Sequence, residues 1–148
     1  MHDTLRKFGY PAGLVFETRF WAVLVRPAQP TIGSLVLVLK RDVTSFAALT
    51  TDEALDVPAV AARIEACLAA LVGFERINYL MLMMVDPHVH FHVIPRHAGE
   101  RSWRGITLVD AGWPGVPLLS PALDLTAEQV AQLRLDLVAA GKGTIPAA

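Results

Sequence analysis

The sequence predicts an α+β domain: a five-stranded antiparallel sheet, one main helix between the third and fourth strands, and a C-terminal helical tail. Two observations carry this prediction. The order of elements is strand, strand, strand, helix, strand, strand and then a helical tail, which is not the alternation that parallel crossovers require. The length of 148 residues suits one domain, which buries roughly 70% of the surface of its extended chain. That single domain, residues 1 to 148, has its core over about 14 to 97, with a loop and helical tail over 98 to 148.

Residues 1 to 12 read as an arm that ends where Pro11 and Gly13 punctuate the start of the first strand. Leu14 to Glu17, Phe20 to Arg26 and Ser34 to Lys40 are short runs of Val, Leu and aromatics, separated by Thr18-Arg19 and by RPAQPTIG, and read as three strands. Arg41 to Leu49 is a polar connection with room for one helical turn at Ser45 to Leu49. Thr50 and Glu53 have capping-box spacing, but Pro58 is tolerated only in a first turn, so the main helix is expected from a cap at Asp56 to about Val72, closed by Gly73. Val60, Ile64, Cys67, Leu68 and Leu71 form its apolar stripe. Arg76 to Val85 and His88 to Pro95 are the fourth and fifth strands, joined through Asp86-Pro87 by a bulge or wide loop. The fourth is apolar on both faces and is expected to be central. Residues 97 to 125 read as a Gly-, Pro- and Trp-rich loop, before a helix capped by Thr126 and Gln129 that stops at Gly141.

Composition excludes several classes of function. At 53% hydrophobic and a mean hydropathy of +0.44, the chain is too apolar for a disordered regulator and is expected to place apolar surface in a homodimer interface. Thirteen Lys and Arg against fourteen Asp and Glu supply no basic field for polymeric nucleic acid. The longest apolar runs fall far short of the roughly 18 to 20 residues that span a bilayer. The N-terminus lacks the apolar centre of a secretory signal, and Cys67 is the single cysteine, so a cytoplasmic location is expected.

Four of the five histidines, His88, His90, His92 and His97, lie within ten residues. On a strand, alternate side chains share a face, so His88, His90 and His92 project together while Val89, Phe91 and Val93 face the helix. Packing does not explain three imidazoles in a row on an inner strand. Neutral imidazole is a nucleophile and a metal ligand, and the middle ring, His90, has neighbours on both sides to fix its tautomer. Phosphorus is the electrophile that imidazole attacks most readily without a metal, since the phosphoramidate formed is reactive enough to hydrolyse.

HVHFHVIPR, residues 88 to 96, resembles the signature of the histidine triad family of nucleotide hydrolases and transferases, closest to its fragile histidine triad and dinucleoside polyphosphate hydrolase branch. The resemblance extends over about residues 14 to 97, through FWAVLVRPAQPTIGSLVLVLKRDVTSF and the helix. It implies a doubled sheet across a homodimer, and attack by His90 on the α-phosphorus of a dinucleoside polyphosphate or nucleoside phosphoramidate. A nucleotidyl-histidine would form and be resolved by water, with His88 and His92 orienting the nucleophile and no cofactor required. Leu24 and Val25 resemble strand positions of the base pocket, and Arg26 falls where the family commonly has a ribose-holding Asn or Asp. The chain departs from the family in three places: Gly33-Ser34 replaces the frequent Gly-His, MMVDP replaces a polar Gly-rich loop, and Arg26 cannot accept ribose hydrogen bonds. These imply a changed leaving group or a weaker catalyst.

Among the other residues, Arg96, His97, Arg101 and Arg104 are candidate phosphate contacts, with Arg96 foremost, and Ser34 is a candidate at the missing histidine's position. Trp103 and Trp113 are expected to pack the tail rather than stack on a base, Asp86 to make a turn, and Met81, Met83 and Met84 to fill core. Two other functions stay open. One is a His-ligated metal site, which the outward fan of alternate strand positions disfavours; the other is a non-catalytic nucleotide-binding module.

Overall fold

The computed structural model describes residues 1–144. In chain order its elements are α1 (Asp3–Lys7), β1 (Leu14–Glu17), β2 (Trp21–Val25), β3 (Ala28–Gln29), β4 (Leu35–Leu39), α2 (Thr51–Leu71), β5 (Arg76–Leu80), β6 (His90–Arg96), β7 (Glu100–Trp103), β8 (Ile106–Val109), β9 (Leu123–Asp124) and α3 (Ala127–Thr144). A single 3-10 turn, Phe46–Ala48, lies in the polar connection before α2. The main sheet has five strands, all antiparallel as the order of elements predicts, arranged β1-β2-β4-β6-β5.

β2 and β4 are completely buried because both faces of these inner strands are covered. On one face Trp21, Val23, Val25, Leu35, Leu37, Leu39, Val89 and Val93 meet Val60, Ile64 and Leu68 of α2 and Leu133 and Leu137 of α3 in the main core. On the other, Ala22, Leu24, Val36 and Val38 pack under Leu5 and Phe8 of the N-terminal segment. Residues 1 to 12 are therefore not a loose arm, since α1 lies on the second face with His2, Thr4, Leu5 and Phe8 buried. A short amphipathic helix gives a weak sequence signal, and its stability here comes from packing rather than propensity.

The main helix starts five residues before the predicted cap. Thr50 accepts from the Glu53 backbone while the Glu53 carboxylate accepts from the Thr50 backbone, closing the capping box, and Arg41 pairs with the same carboxylate at 2.8 Å. Pro58 then sits inside the helix rather than in its first turn. Pro58 and Ala54 are both exposed, so the carbonyl that the missing N–H leaves free can be hydrated. At the other end of the chain, Gly141 does not stop α3. A Cβ there would lie 2.6 Å from Cys67 Sγ, so the glycine permits close approach of α3 to α2. Residues 145–148 of the predicted tail lie outside the described residues.

Three further expectations are corrected. β5 is an edge strand rather than a central one and ends at Leu80, because residues 81–87 leave the ladder, with Met83 at φ 50°. The stretch 97–125 is not all loop: β7 and β8 form a hairpin through Arg104-Gly105, both at positive φ, and β9 pairs with β3. Met84, 82% exposed, fills no core. No helix among the described residues is long and apolar enough to cross a membrane.

Candidate active site

β6 places His90 opposite Val38 and His92 opposite Val36, so both rings share the face that α1 covers, while Val93 faces α2. The chain before β6 stays extended against residues 39–43, through Leu39 N–H to the Val89 carbonyl and Val89 N–H to the Val43 carbonyl, which brings His88 to the same face. The ring centroids of His90 and His92 are 5.0 Å apart and edge-on, and Phe8 of the N-terminal segment touches both, at 5.7 and 5.9 Å.

The hydrogen bonds assign each ring a different role. His90 Nδ1 lies 2.6 Å from the His88 carbonyl oxygen, which can only accept, so Nδ1 carries the proton and donates. Nε2 is then the nitrogen that carries the lone pair in the neutral tautomer, and no described group bonds to it. His92 has the opposite tautomer: Arg26 Nε donates to its Nδ1 at 3.2 Å, which leaves Nε2–H as the donor. Burial, and next the Arg26 charge, push the His92 pKa down to about 4, so the ring is neutral at pH 7. The cation beside it is the guanidinium.

His88 turns away from this pair. Its Nδ1 meets the Thr4 hydroxyl and its Nε2 the Asp42 carboxylate, both at 2.8 Å, and its ring stacks on His2 at 4.0 Å. His2 accepts from the Leu5 backbone through Nδ1 and donates through Nε2 to the Leu39 carbonyl, and burial lowers its pKa. The N-terminal segment thus fixes the residue whose carbonyl orients His90. His2, Thr4 and Asp42 were not legible as site residues, because nothing in their local spacing points to a strand more than 40 residues away.

His90 and His92 open onto a cavity of about 450 Å³, with Lys7 and Phe8, Arg26 to Ala28, the 82–86 loop, Leu119 and Asp124 around it. Arg26 also donates to the Ala28 carbonyl at 2.6 Å and has no carboxylate partner among the described residues. Lys7 is bound by Asp86 at 2.7 Å. No three His, Cys, Asp or Glu side chains among the described residues converge as a metal site requires, since His88 is directed to Thr4 and Asp42.

Of the other residues that the sequence offers as nucleotide or phosphate contacts, Arg26 alone joins His90 and His92 in the cavity wall. Leu24 and Val25 are fully buried on opposite faces of the sheet, the first under α1 and the second in the main core. Ser34 is fully buried and bonds to the Thr31 carbonyl. The Gly33 before it, at φ 94°, has no room for a Cβ beside Leu68. Arg96 is buried at the far end of β6, held by Asp110 at 2.6 Å, by Asn78 and by the Gly115 carbonyl. Arg104 pairs with Asp136, and Arg101 lies 3.8 Å from Glu75. His97 is buried, with the backbone of Ala98 and Gly99 near its ring but in hydrogen-bond geometry with neither nitrogen. Trp103 packs in the core and donates to Asp136, whereas Trp113 lines a separate surface groove beside Arg96. Asp86, Lys7 and Asp124 form cavity wall that the sequence reading gave no binding role.

Comparison with known proteins gives a consistent result. The family model described as the HIT domain matches residues 11–99. A search of curated proteins finds no match. Similar solved structures include a hypothetical histidine triad nucleotide-binding protein from Sulfolobus tokodaii, at TM-score 0.72 and 13% identity, with 95% of this chain and 90% of that one covered. A histidine triad protein from Sinorhizobium meliloti aligns at TM-score 0.69 and 23% identity, covering 94% of each chain. One from Bradyrhizobium japonicum aligns at TM-score 0.68 and 20% identity, covering 93% of each.

Proposed function

The chain belongs to the HIT family, and from that premise we propose that it is a nucleotide hydrolase or nucleotidyl transferase that works through a covalent intermediate on His90. The observation that carries this reading is the bond from His90 Nδ1–H to the His88 carbonyl, which leaves Nε2, with no hydrogen-bond partner among the described residues, as the ring nitrogen open to a ligand in the cavity. Nε2 attacks the α-phosphorus of a bound nucleotide. The P–N bond forms as the P–O bond to the leaving group breaks, and the positive charge that develops on the ring is shared with the His88 carbonyl. His92 Nε2–H and Arg26 donate to the non-bridging phosphate oxygens. Water then attacks the phosphorus and gives up a proton to solvent, the P–N bond breaks with its electron pair returning to Nε2, and neutral His90 and the nucleoside monophosphate are released. His88 acts as a positioning residue through its carbonyl. The step requires no metal.

Dinucleoside polyphosphates are the favoured substrates and phosphoramidates the second choice. A polyphosphate departs as an anion, whereas an amine must collect a proton, and His92 is too weak a base to carry one at pH 7. The protein works as a homodimer in this reading; the exposed edge of β5 and the exposed Leu82, Met84 and Val85 beyond it supply unpaired backbone and apolar surface. Steady-state turnover of a diadenosine polyphosphate tests the proposal. His90→Ala is expected to lower kcat by about a thousandfold or more; a variant as active as the wild type would refute it.

A further inference from the structure

Among the described residues, the cavity wall holds two charged side chains with no partner of opposite charge. Arg26 makes no ion pair, and Asp124, whose side chain makes no hydrogen bond or ion pair among the described residues, lines the same cavity. The remaining two lining charges neutralise each other, because Lys7 and Asp86 are in direct contact. Asp124 reaches this place through β9: it pairs with Ala28 in the β3 ladder, and Leu125 N–H bonds to the Pro27 carbonyl. Arg26 donates to the carbonyl of that same Ala28. A guanidinium and a carboxylate are thus set on adjoining chain segments of one cavity but not joined to each other.

The chemistry of the two groups divides their tasks. Arg26 is donor-only and always charged, and stands beside His92, where an anionic phosphate is expected. Ionised Asp124 is acceptor-only, so it suits a neutral part of the ligand that carries several donors. A nucleoside monophosphate has this layout, an anion at one end of the sugar and a vicinal diol on the other side. We propose that Asp124 is the specificity-determining acceptor for the ribose 2′- and 3′-hydroxyls, and that Arg26 takes the phosphate. This inference rests on the nucleotide reading of the site but not on catalysis.

Equilibrium binding of AMP and of 2′,3′-dideoxy-AMP to the full chain, as wild type, Asp124→Ala and Asp124→Asn, tests it by calorimetry. Wild type is expected to bind AMP about tenfold to a hundredfold more tightly than the dideoxy analogue, and Asp124→Ala to bind both equally weakly. Asp124→Asn keeps one acceptor oxygen and should retain part of the preference. Dideoxy binding should be insensitive to either change, which also reports that the variants are folded. Equal binding of the two nucleotides by wild type, or a preference that survives Asp124→Ala, would overturn the assignment even if His90-dependent turnover is present. A preference that depends on Asp124 in a protein without turnover would support the assignment and refute the catalytic reading instead. Failure of wild type to bind AMP at all would overturn both.

Discussion

Replacing Arg26 by Met tests how the site keeps His92 neutral. In the wild type His92 titrates at about 4, from burial first and from Arg26 second. The substitution removes the charge and the 3.2 Å hydrogen bond but leaves the ring buried. The pKa is expected to rise by roughly 1, to near 5, because a like charge at this range is worth at least that much. The effect on stability has a definite sign. Between the ordinary 6.5 and about 4, the unfolded chain binds a proton that native His92 refuses, so stability falls as pH falls through that window, by about 3 kcal/mol in all. In Arg26→Met the loss ends nearer pH 5 and amounts to about 2 kcal/mol. Urea unfolding of both proteins at several values between about pH 7 and 4 reads the difference. His2 and His97, also lowered by burial, contribute equally to both and cancel. Parallel pH dependences, or a His92 ring that titrates near 6.5 in nuclear magnetic resonance spectra of the wild type, would refute the reasoning.

Other consequences are open to direct measurement. Thr4→Val removes the hydroxyl bonded to His88 Nδ1 and is expected to lower kcat about tenfold with little change in KM, because it loosens the carbonyl that orients His90; unchanged kcat in a folded variant would deny the N-terminal segment a positioning role. Thr50→Ala opens the capping box of α2 and should cost about 1 kcal/mol by urea unfolding without altering nucleotide binding. Sedimentation equilibrium should give twice the 16.1 kDa chain mass, and Val85→Lys beside the β5 edge should shift it toward one chain.

The sheet was legible because the runs of Val, Leu and aromatics at Trp21–Val25 and Leu35–Leu39, and the alternation of imidazoles with apolar residues at the start of His90–Arg96, are local properties that survive in the fold. The start of α2 is not legible because Pro58 argues for a late start and the Thr50–Glu53 capping pair for an early one, and exposure of Ala54 decides between them. Tyr79 to Val85 reads as a buried strand by composition alone, yet its apolar side chains serve an edge strand and a cavity wall. The triad face followed from period-two spacing, but its supporting groups did not. His2 and Thr4 reach His88 across more than 80 residues, and Asp42 across 46. Arg96 was overvalued for its place next to the motif, whereas Asp110 and Asn78 bind it into the scaffold. Asp124 carried no signal because a two-residue strand brings it to the site.

The central claim is that His90 Nε2 bonds to phosphorus. Rapid mixing with a diadenosine polyphosphate, acid-free quenching and intact mass measurement would test it most directly, followed by peptide mapping. One added nucleoside monophosphate on His90, absent from His90→Ala, is the predicted result. An adduct on another residue, or complete hydrolysis by the wild type with its mass unchanged at every time, would contradict it.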